Sequence, residues 1–438
     1  MPAGGGERPM TPPGVAGEVR ALRVAPGVHW VGALDPDLRQ FDIILRTANG
    51  TTYNAYAVRG SAGVAVIDTV KAEFAEVFFE RLWSCCRPEE IKAIVLNHLE
   101  PDHSGALPEL LRAAPQAPLY ISRPAFGMLK GLLKDGLDPA RIVATEPDTR
   151  IELGGRSLRF LQTPCLHWPD TQCTWVEEDG VLFSGDVFGC HFCDARLFND
   201  KVGDFRFSFD YYYQHIMRPF REHVQAALDL IEPLTLRLIA PAHGPVLRDA
   251  PHTYVRRYRQ LATPQLQNEA AERAKTLLVF YISAYGNTRQ MAQAVRDGAE
   301  GVDGVRVSLY DLAGGEPGPF VDLIEEADGL VFGSPTINGD AVKPVWDLLS
   351  SLTLVKVRGK FGAAFGSYGW SGEAVGMIED RLRGLKLRVP RPGVKVKLIP
   401  TAGELGDCAA LGRELAEHLV GRVVPRHIDF SALHAPTA

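Results

Sequence analysis

The sequence predicts an α/β protein of two domains, and three observations carry this prediction. Its 438 residues exceed the usual size of one domain. Short apolar strands fill the first half, and a polar stretch, ATPQLQNEAAERAK, follows near residue 263. Beyond it, five strand-like and five helix-like segments alternate, which indicates a parallel, doubly wound sheet. The expected parts are a disordered lead-in (1–24), a first domain (25–262), a linker (263–275), a second domain (276–422) and a C-terminal tail (423–438).

The strands of the first domain are predicted from short apolar runs that end in polar residues. The runs are GVAVIDT, IKAIVLN, APLYIS, SLRFLQT, GVLFSGD and LRLIAPAHG. Histidines and carboxylates repeatedly stand just past their ends. A strand end is a good place for a functional site, because the sheet fixes the backbone while the loop presents the side chains.

The second domain is predicted from its regular alternation of strands and helices. Its expected strands are TLLVFYI, VRVSLY, GLVFG, FGAAFG and VKVKLI. Helices are expected around Met291 to Ala299, near Leu323, and at VKPVWDLLSSL, EAVGMIEDRLRG and CAALGRELAEHL. This alternation is typical of βαβ units, whose strands run parallel.

Composition and charge argue against several classes of protein. The net charge is -6 and no run of Lys and Arg occurs, so a nucleic acid is not expected as partner. No apolar run approaches the roughly 18 residues of a membrane span. The N-terminal MPAGGGERPMTPPGVAGE lacks the apolar core of a signal peptide. We therefore expect a cytoplasmic protein that binds neither nucleic acid nor membrane.

A cluster of potential metal ligands lies in the segment AIVLNHLEPDHSGALPEL. Within six positions it contains His98, Glu100, Asp102 and His103. Three further candidates each follow a strand-like run: His167, Asp186 and His243. Four histidines and three carboxylates are enough for two metal ions, because the two oxygens of one carboxylate can bridge two cations.

The order of these ligands resembles the metallo-β-lactamase superfamily, which implies an αββα sandwich for the first domain. The common motif of that superfamily is His-x-His-x-Asp-His, whereas this chain has His-x-Glu-x-Asp-His. A carboxylate at Glu100 makes the site harder and more anionic, which favours iron or manganese over zinc. Two divalent ions against three carboxylates leave one net positive charge, which suits a small neutral substrate.

Three loops of the second domain predict an FMN site. The loop SAYGNT offers hydroxyls, backbone N–H groups and a helix N-terminus to a phosphate. The loops SPTIN and SYGWSG follow the third and fourth strands, where flavodoxin-like folds bind their ligand. A single phosphate loop without a Gly-x-Gly-x-x-Gly turn favours the mononucleotide. The expected FMN contacts are Ser283, Ala284, Tyr285, Gly286, Asn287, Thr288, Ser334, Pro335, Thr336, Ile337, Asn338, Ser367, Tyr368, Gly369, Trp370, Ser371 and Gly372.

A lactamase-like domain tuned for iron and followed by a flavodoxin-like domain resembles the flavodiiron proteins, also called A-type flavoproteins. The resemblance covers about residues 25 to 422. It implies FMN and a non-haem diiron centre of two iron ions that reduces O2 to water, or NO to N2O. It further implies two ligand sets with a bridge: His98, Glu100 and His167 on one iron, Asp102, His103 and His243 on the other, and Asp186 between them.

The resemblance also implies partners. It predicts a head-to-tail homodimer, or a dimer of such dimers, that receives electrons from a separate protein such as a rubredoxin or a flavin reductase. A rubredoxin-like iron site needs two Cys-x-x-Cys pairs, whereas Cys190 and Cys193 form the single such spacing here. The seven cysteines are odd in number and scattered, so a disulfide framework is not expected. We interpret Cys190 and Cys193 as ordinary buried cysteines.

Two segments depart from the commoner pattern of the family, FGCHFC and FDYYYQHIMRPF. The first contains His191, five residues after Asp186. The second contains Tyr212 and Tyr213, which can donate protons or hydrogen bonds. These three residues are candidates for a layer of side chains directly behind the metal ligands.

Two other hypotheses compete with a gas-reducing enzyme. The first is a dizinc hydrolase with a tethered flavodoxin-like domain, against which Glu100 and the flavin loops argue; metal analysis separates the two. The second is an electron carrier or flavin-based sensor, which predicts normal flavin reduction without consumption of gas.

Overall fold

The computed structural model describes residues 19–41, 45–134, 138–263, 274–313 and 320–422. The chain divides after Thr263 into two compact units. The predicted C-terminal tail lies outside the described residues, as does most of the predicted linker. The first strand begins at Leu22, inside the segment expected to be a disordered lead-in. It forms there because residues 22–25 pair with the next strand across a tight turn at Gly27.

The strands of the first unit are short. They are β1 (Leu22–Ala25), β2 (Val28–Trp30), β3 (Ala33–Asp35), β4 (Gln40–Phe41), β5 (Leu45–Arg46), β6 (Thr51–Tyr53), β7 (Tyr56–Arg59), β8 (Val64–Ile67), β9 (Ile91–Val95), β10 (Leu119–Ile121), β11 (Ile142–Ala144), β12 (Arg150–Glu152), β13 (Ser157–Gln162), β14 (Gln172–Val176), β15 (Val181–Gly185) and β16 (Leu238–Pro241). The six strands predicted for this unit all form, as β8, β9, β10, β13, β15 and β16.

Helices flank these strands. They are α1 (Ala75–Cys85), α2 (Pro101–Ser104), α3 (Leu107–Ala113), α4 (Ala125–Leu133), α5 (Arg206–Tyr212), α6 (Arg221–Ile231) and α7 (Pro251–Ala262). A π-helical turn continues α5 over Tyr213–Met217.

Two sheets form the centre of the first unit. One has the strand order β1-β2-β7-β8-β9-β10-β11, and the other has the order β12-β13-β14-β15-β16. Alternate residues of β8 face opposite sides of its sheet: Val64 and Val66 pack with α1, α3 and α4, whereas Ala65 and Ile67 pack against the second sheet. The far side of the second sheet is covered by α5 to α7. The layers are therefore helix, sheet, sheet and helix, which confirms the predicted αββα sandwich.

The second unit is a doubly wound sheet. Its strands are β17 (Lys275–Tyr281), β18 (Val305–Asp311), β19 (Gly329–Gly333), β20 (Thr336–Ile337), β21 (Asp340–Ala341), β22 (Phe361–Tyr368) and β23 (Val394–Lys397). Its helices are α8 (Asn287–Glu300), α9 (Phe320–Glu326), α10 (Lys343–Ser351), α11 (Glu373–Gly384) and α12 (Ala402–Leu419). The main sheet has the order β18-β17-β19-β22-β23, and every pairing in it is parallel. Apolar clusters cover both of its faces, as the prediction required.

Two general features of the chain complete the description. Within the described residues, all seven cysteines are free thiols; Cys190 is buried and Cys193 is half-buried. Among those same residues, no helix combines the length and the apolar character needed to cross a membrane.

Candidate functional site

The seven predicted metal ligands converge at one edge of the sandwich. The cluster from His98 to His103 follows β9 and includes the short helix α2. His167 follows β13, Asp186 follows β15 and His243 follows β16. Since β9 belongs to one sheet and the other three strands to the second, the site forms where the ends of the two sheets meet.

The first group of ligand atoms comes from His98, Glu100 and His167. Oε2 of Glu100 lies 3.1 Å from Nε2 of His98 and 3.0 Å from Nε2 of His167. Two ligands that each lie about 2.1 Å from one ion, at right angles, are about 3 Å apart. These separations therefore fit a single ion.

The second group comes from Asp102, His103 and His243. Oδ2 of Asp102 lies 3.1 Å from Nε2 of His243, and its Oδ1 lies 3.8 Å from Nε2 of His103. All three residues are buried, and their ligand atoms lie within 4.8 Å of one another. This group has room for a second ion.

Asp186 stands between the two groups. Its Oδ2 lies 3.8 Å from Nε2 of both His98 and His167. Its Oδ1 lies 3.2 Å from Nε2 of His103 and 3.4 Å from Nε2 of His243. Each oxygen thus faces one group, which is the arrangement of a bridging carboxylate.

Unsatisfied buried atoms show that hydrogen bonds of the protein do not complete this site. Among the described residues, Nε2 of His103, both carboxylate oxygens of Asp102 and Oδ2 of Asp186 are buried without a hydrogen-bond partner. A buried polar atom without a partner is costly. Four such atoms in one cluster fit a group of metal ligands.

The opposite ring nitrogens explain how the imidazoles are aimed. Nδ1 of His98 lies 3.1 Å from a carboxylate oxygen of Asp170, and Nδ1 of His243 lies 2.7 Å from the carbonyl oxygen of Thr52. Each Nδ1 therefore carries a proton, and Nε2 is the nitrogen that faces the carboxylates. A metal ion that replaced the proton on Nε2 would bind this nitrogen and an oxygen of the facing carboxylate. The donor set fits two metal ions.

Burial and charge act in opposite directions on these groups. Burial alone would lower the pKa of His98, but its hydrogen bonds with Asp170 and Glu100 raise this pKa to about 9. Burial alone would raise the pKa of Asp186, but the imidazoles around it, above all His103, hold this pKa well below its usual range. The carboxylates thus stay anionic, and the site attracts positive charge.

His191 lies behind the second group. Its ring packs against Phe41, with centroids 4.2 Å apart, and lies 5.5 Å from the ring of His243. Nδ1 of His191 is 3.0 Å from the hydroxyl of Thr51. Burial, with help from His243, lowers the pKa of His191 to about 3, so the ring is neutral.

The two tyrosines point in different directions. Tyr212 donates a hydrogen bond to Oδ1 of Asp186 at 3.1 Å, so it reaches the ligand cluster directly. Tyr213 packs instead in the aromatic core, where its ring centroid lies 5.1 Å from that of Tyr258. Consecutive residues of a helix diverge by about 100°, so one of an adjacent pair faces away from the site. The structure brings Tyr212, and not Tyr213, to the ligands.

Sequence reasoning missed Asp170, although it lies within the quoted segment TPCLHWPDT. Its carboxylate faces His98, which is 72 residues away in the chain. No spacing rule links residues so far apart. The signal that could have found it is a polar residue next to a predicted ligand, since metal-bound histidines commonly donate their second N–H to a carboxylate.

A small cavity opens onto the ligand cluster. Its volume is about 150 Å³, and the ligands Glu100 and Asp102 form part of its wall. Leu38, Phe41 and Tyr53 supply apolar surface, and Gln40 and Lys71 supply polar groups. Pockets for drug-sized ligands usually exceed roughly 300 Å³. The cavity therefore suits a very small substrate.

The three predicted FMN loops lie at the carboxyl ends of β17, β19 and β22, which are neighbours in the sheet. Residues 283–286 form the first loop, and Asn287 and Thr288 begin α8. Ser367 and Tyr368 end β22, and residues 369–372 lead into α11. The chain thus gathers all three loops at one sheet edge.

The second loop is a small β-hairpin rather than irregular backbone. Its strands β20 and β21 pair across a turn at Asn338 and Gly339, both of which have positive φ (55° and 76°). Such a turn favours Asn-Gly. Ser334 is fully buried; its hydroxyl donates to the carbonyl of Pro335 and accepts from the N–H of Val342. This hydroxyl shapes the hairpin.

The first loop fits a phosphate group. Oγ of Ser283 is buried and has no hydrogen-bond partner among the described residues. Gly286, with φ of 86°, precedes α8 and leaves the helix N-terminus without a side-chain cap. The hydroxyls of Thr288 and Ser367 lie 2.9 Å apart and join the first loop to the third. An unpaired hydroxyl beside an uncapped helix N-terminus is a suitable anion site.

Two aromatic side chains near this edge are unusually exposed. Tyr285 is 93% exposed and Trp370 is 78% exposed, whereas Tyr368 is half-buried. Exposed apolar side chains that lie together often mark a surface that a ligand or partner covers. Their position on the first and third loops fits a flat ring bound between these loops.

Fold and site together define a class of protein, in which a lactamase-like unit with a dimetal site is joined to a flavodoxin-like unit. Family comparison supports each half. The profile described as "ODP family beta lactamase" matches residues 51–244, and the profile described as "Flavodoxin" matches residues 279–412.

Relatives match almost the whole chain. The type A flavoprotein fprA of Rhodobacter capsulatus is 60% identical over 97% of both chains. A nitric oxide reductase of Moorella thermoacetica is 34% identical over 91% of this chain and 98% of its own.

Solved structures agree with these relatives. The flavodiiron protein from Giardia intestinalis is 30% identical, with a TM-score of 0.63 over 94% of this chain and 98% of its own. The rubredoxin oxygen:oxidoreductase of Desulfovibrio gigas is 28% identical, with a TM-score of 0.64 over 92% and 99%. The chain belongs to the type A flavoproteins, the flavodiiron family, which confirms the resemblance seen in the sequence. It is an oxidoreductase.

Proposed function

We propose that this protein reduces O2 to water with FMN and a non-haem diiron centre. The observation that carries the proposal is the pair of ligand groups joined by Asp186, whose two oxygens each face one group. His98, Glu100 and His167 would hold one iron, and Asp102, His103 and His243 the other. Ser283, with the N-terminus of α8, would hold the FMN phosphate.

The cofactors supply the redox chemistry: when bound, two ferrous ions and one reduced flavin together hold the four electrons that convert O2 to two waters. The protein contributes orientation and groups that can hold or move protons. The hydroxyl of Tyr212 donates a hydrogen bond, 3.1 Å long, to Asp186, the carboxylate that lies between the two ligand groups. His191, a neutral imidazole with a buried Nε2, offers a further hydrogen-bonding group behind His243.

The cavity favours a gas over a larger substrate. Its volume of about 150 Å³ holds a diatomic molecule with room for water, and it is far smaller than pockets for drug-sized substrates. The ring of Phe41 and the side chain of Leu38 give part of its wall an apolar character that suits an uncharged gas.

Reduction of NO to N2O is the second candidate. A relative that is 34% identical over 91% of this chain is named a nitric oxide reductase. The ligand groups and the small cavity would serve a second diatomic gas equally well. Two molecules of NO need two electrons, so the demand on the flavin is lower than for O2.

We further propose a separate protein as electron donor. The name of the Desulfovibrio gigas relative includes rubredoxin, which makes a rubredoxin a suitable donor to test; a flavin reductase is the alternative. A head-to-tail homodimer, or a dimer of such dimers, would complete the assembly. Analytical ultracentrifugation of the purified protein tests the oligomeric state.

The direct test is anaerobic reduction of the purified protein, followed by addition of O2 or NO and electrode readout. Rapid consumption of O2 without release of hydrogen peroxide is the expected result. Faster consumption of NO than of O2 would favour the second candidate. Flavin reduction without uptake of either gas would leave an electron carrier or sensor as the function.

Glu100 is expected to control which metal is bound. Replacing Glu100 with His restores the His-x-His-x-Asp-His motif and removes the carboxylate that contacts both His98 and His167. The zinc-to-iron ratio of the isolated protein should rise several-fold, because imidazole suits zinc. Elemental analysis of both proteins, grown in the same medium, measures this ratio. An unchanged ratio would place metal selectivity in other groups.

The hydroxyl of Tyr212 is expected to support turnover rather than metal binding. Tyr212→Phe removes the hydrogen bond to Asp186, and bonds to charged groups contribute about 1.5–3 kcal/mol. Gas consumption should slow by roughly tenfold while the iron content stays at the wild-type level. Tyr213→Phe is the matched comparison, since its ring lies in the core. An equal loss in both variants would point to a packing effect.

A further inference from the structure

Asp170 is a buried carboxylate outside the proposed set of ligands. Its side chain and that of His98 are both fully buried. Its two oxygens lie 3.2 and 3.1 Å from Nδ1 of His98, and the second also accepts the N–H of Leu99 at 2.8 Å. Its own carbonyl accepts the hydroxyl of Ser122 at 2.7 Å. The Leu99 N–H thus holds the carboxylate against the imidazole, and the Ser122 hydroxyl holds the backbone of Asp170.

This contact determines where the proton of His98 lies. A carboxylate has no proton to donate, so Nδ1 must be the donor, and Nε2 is the nitrogen whose lone pair a metal ion would take. Nε2 is the atom that lies 3.1 Å from Glu100 and 3.8 Å from Asp186. The ring is thus aimed at the first ligand group in the tautomer that a metal ion requires.

We infer that Asp170 is a positioning residue that fixes the ring and tautomer of His98 for the metal of the first group. The inference rests on the proposed dimetal centre. It also predicts that the two groups differ. Nδ1 of His243 faces the neutral carbonyl of Thr52, whereas Nδ1 of His98 faces a full negative charge. Loss of Asp170 should therefore weaken the first group and spare the second.

Asp170→Asn is the discriminating variant. The amide oxygen can keep the bond from the N–H of Leu99, and the NH2 group then replaces the oxygen that lies 3.2 Å from Nδ1 of His98. The negative charge that favours a proton on Nδ1 is lost and an N–H donor stands beside that proton, so the tautomer that a metal ion requires is disfavoured. Loss of such a partner typically weakens metal binding by roughly ten- to hundredfold.

The measurement is a titration of the metal-free protein with Co²⁺, whose visible absorption reports each bound ion. Wild type should bind two ions per chain, whereas Asp170→Asn should bind one tightly and the other roughly ten- to hundredfold more weakly. Circular dichroism and a thermal melt verify that the variant is folded. Wild-type affinity for both ions in a folded Asp170→Asn protein would overturn the inference.

Asp68→Asn serves as a matched control. Asp68 is also buried close to the cluster, but its Oδ1 accepts the backbone N–H of Asn97 at 2.7 Å. An amide can keep that bond, and the charge of Asp68 acts mainly on His103 of the second group, so this variant should bind the ion of the first group nearly as tightly as wild type. An equal loss in both variants would show a general effect of negative charge and would overturn the positioning role.

A second measurement does not depend on the stability of a variant. In the zinc-loaded wild type, ¹⁵N NMR of labelled histidine should show the proton of His98 on Nδ1. A proton on Nε2 would overturn the inference. Failure of the wild type to bind two ions of any metal would instead overturn the proposed diiron function, so the two failures are distinguishable.

Discussion

Replacing Asp186 with alanine is expected to remove most of the bound iron and to leave the FMN content unchanged. Both oxygens of Asp186 face ligand groups, so the substitution takes one anionic ligand from each ion. The remaining histidines and carboxylates would then hold two cations with one negative charge fewer. The proposed FMN loops belong to the other compact unit and keep their own packing. Iron released to a chelator and FMN absorbance measure the two cofactors.

Asp204→Ala provides the matched control for this experiment. Asp204 lies in the same unit, but it is exposed and paired with Arg206 at 2.8 Å. Its loss should change neither cofactor, because exposed ion pairs contribute little. If Asp186→Ala retained both irons and normal turnover, Asp186 would not be a bridge.

The metal ligands could be proposed from the sequence because their signal is partly local. The segment from His98 to His103 contains four possible metal ligands within six positions, and each later ligand follows a recognisable strand. Asp170 could not be found in this way. Its partner His98 is distant in sequence, and only the meeting of the two sheets brings the pair together.

The elements of the fold were predicted best where periodicity was strong. The five strands and five helices of the second unit form as expected, because apolar strands and amphipathic helices alternate regularly along this part of the chain. The N-terminus of α12 was placed too late in the chain. Thr401 and Glu404 form a capping box that starts this helix at Ala402, before its apolar stripe begins. The sequence did not predict the hairpin after β19. Its two strands have two residues each, which is too short to show an alternating apolar pattern.

Residue type alone could not decide which hydroxyls face the flavin. Ser283, Thr288, Ser334 and Ser367 were all expected to contact FMN. The structure shows Ser334 bonded within its own hairpin and Thr288 bonded to Ser367. Among these four, Ser283 is the one whose hydroxyl is buried without a partner. The direction of a hydroxyl depends on loop geometry, which local composition does not encode.

Ser283→Asp is expected to produce a protein that contains iron but little FMN. The new carboxylate would stand where we propose the phosphate, and it would replace a hydroxyl that now has no partner. Repulsion and loss of one charged hydrogen bond should weaken FMN binding by roughly 1–3 kcal/mol. That is about a ten- to hundredfold loss of affinity. Thr288 is a poorer choice for this test, because it is fully buried and a larger side chain there would also disturb packing.

The consequence for turnover tests the proposed electron route. If electrons reach the iron centre through FMN, the Ser283→Asp protein should fail to consume O2 continuously with a protein donor, although chemical reduction should still allow one reaction. Ser350→Asp is the control, because it adds the same charge at an exposed site on α10 in the same unit. It should keep both FMN and turnover.

Adding excess FMN to the Ser283→Asp protein should restore turnover in proportion to the flavin bound, since the iron site is intact. Continuous turnover at the wild-type rate without bound flavin would mean that electrons enter the iron centre by a route that bypasses the flavodoxin-like unit.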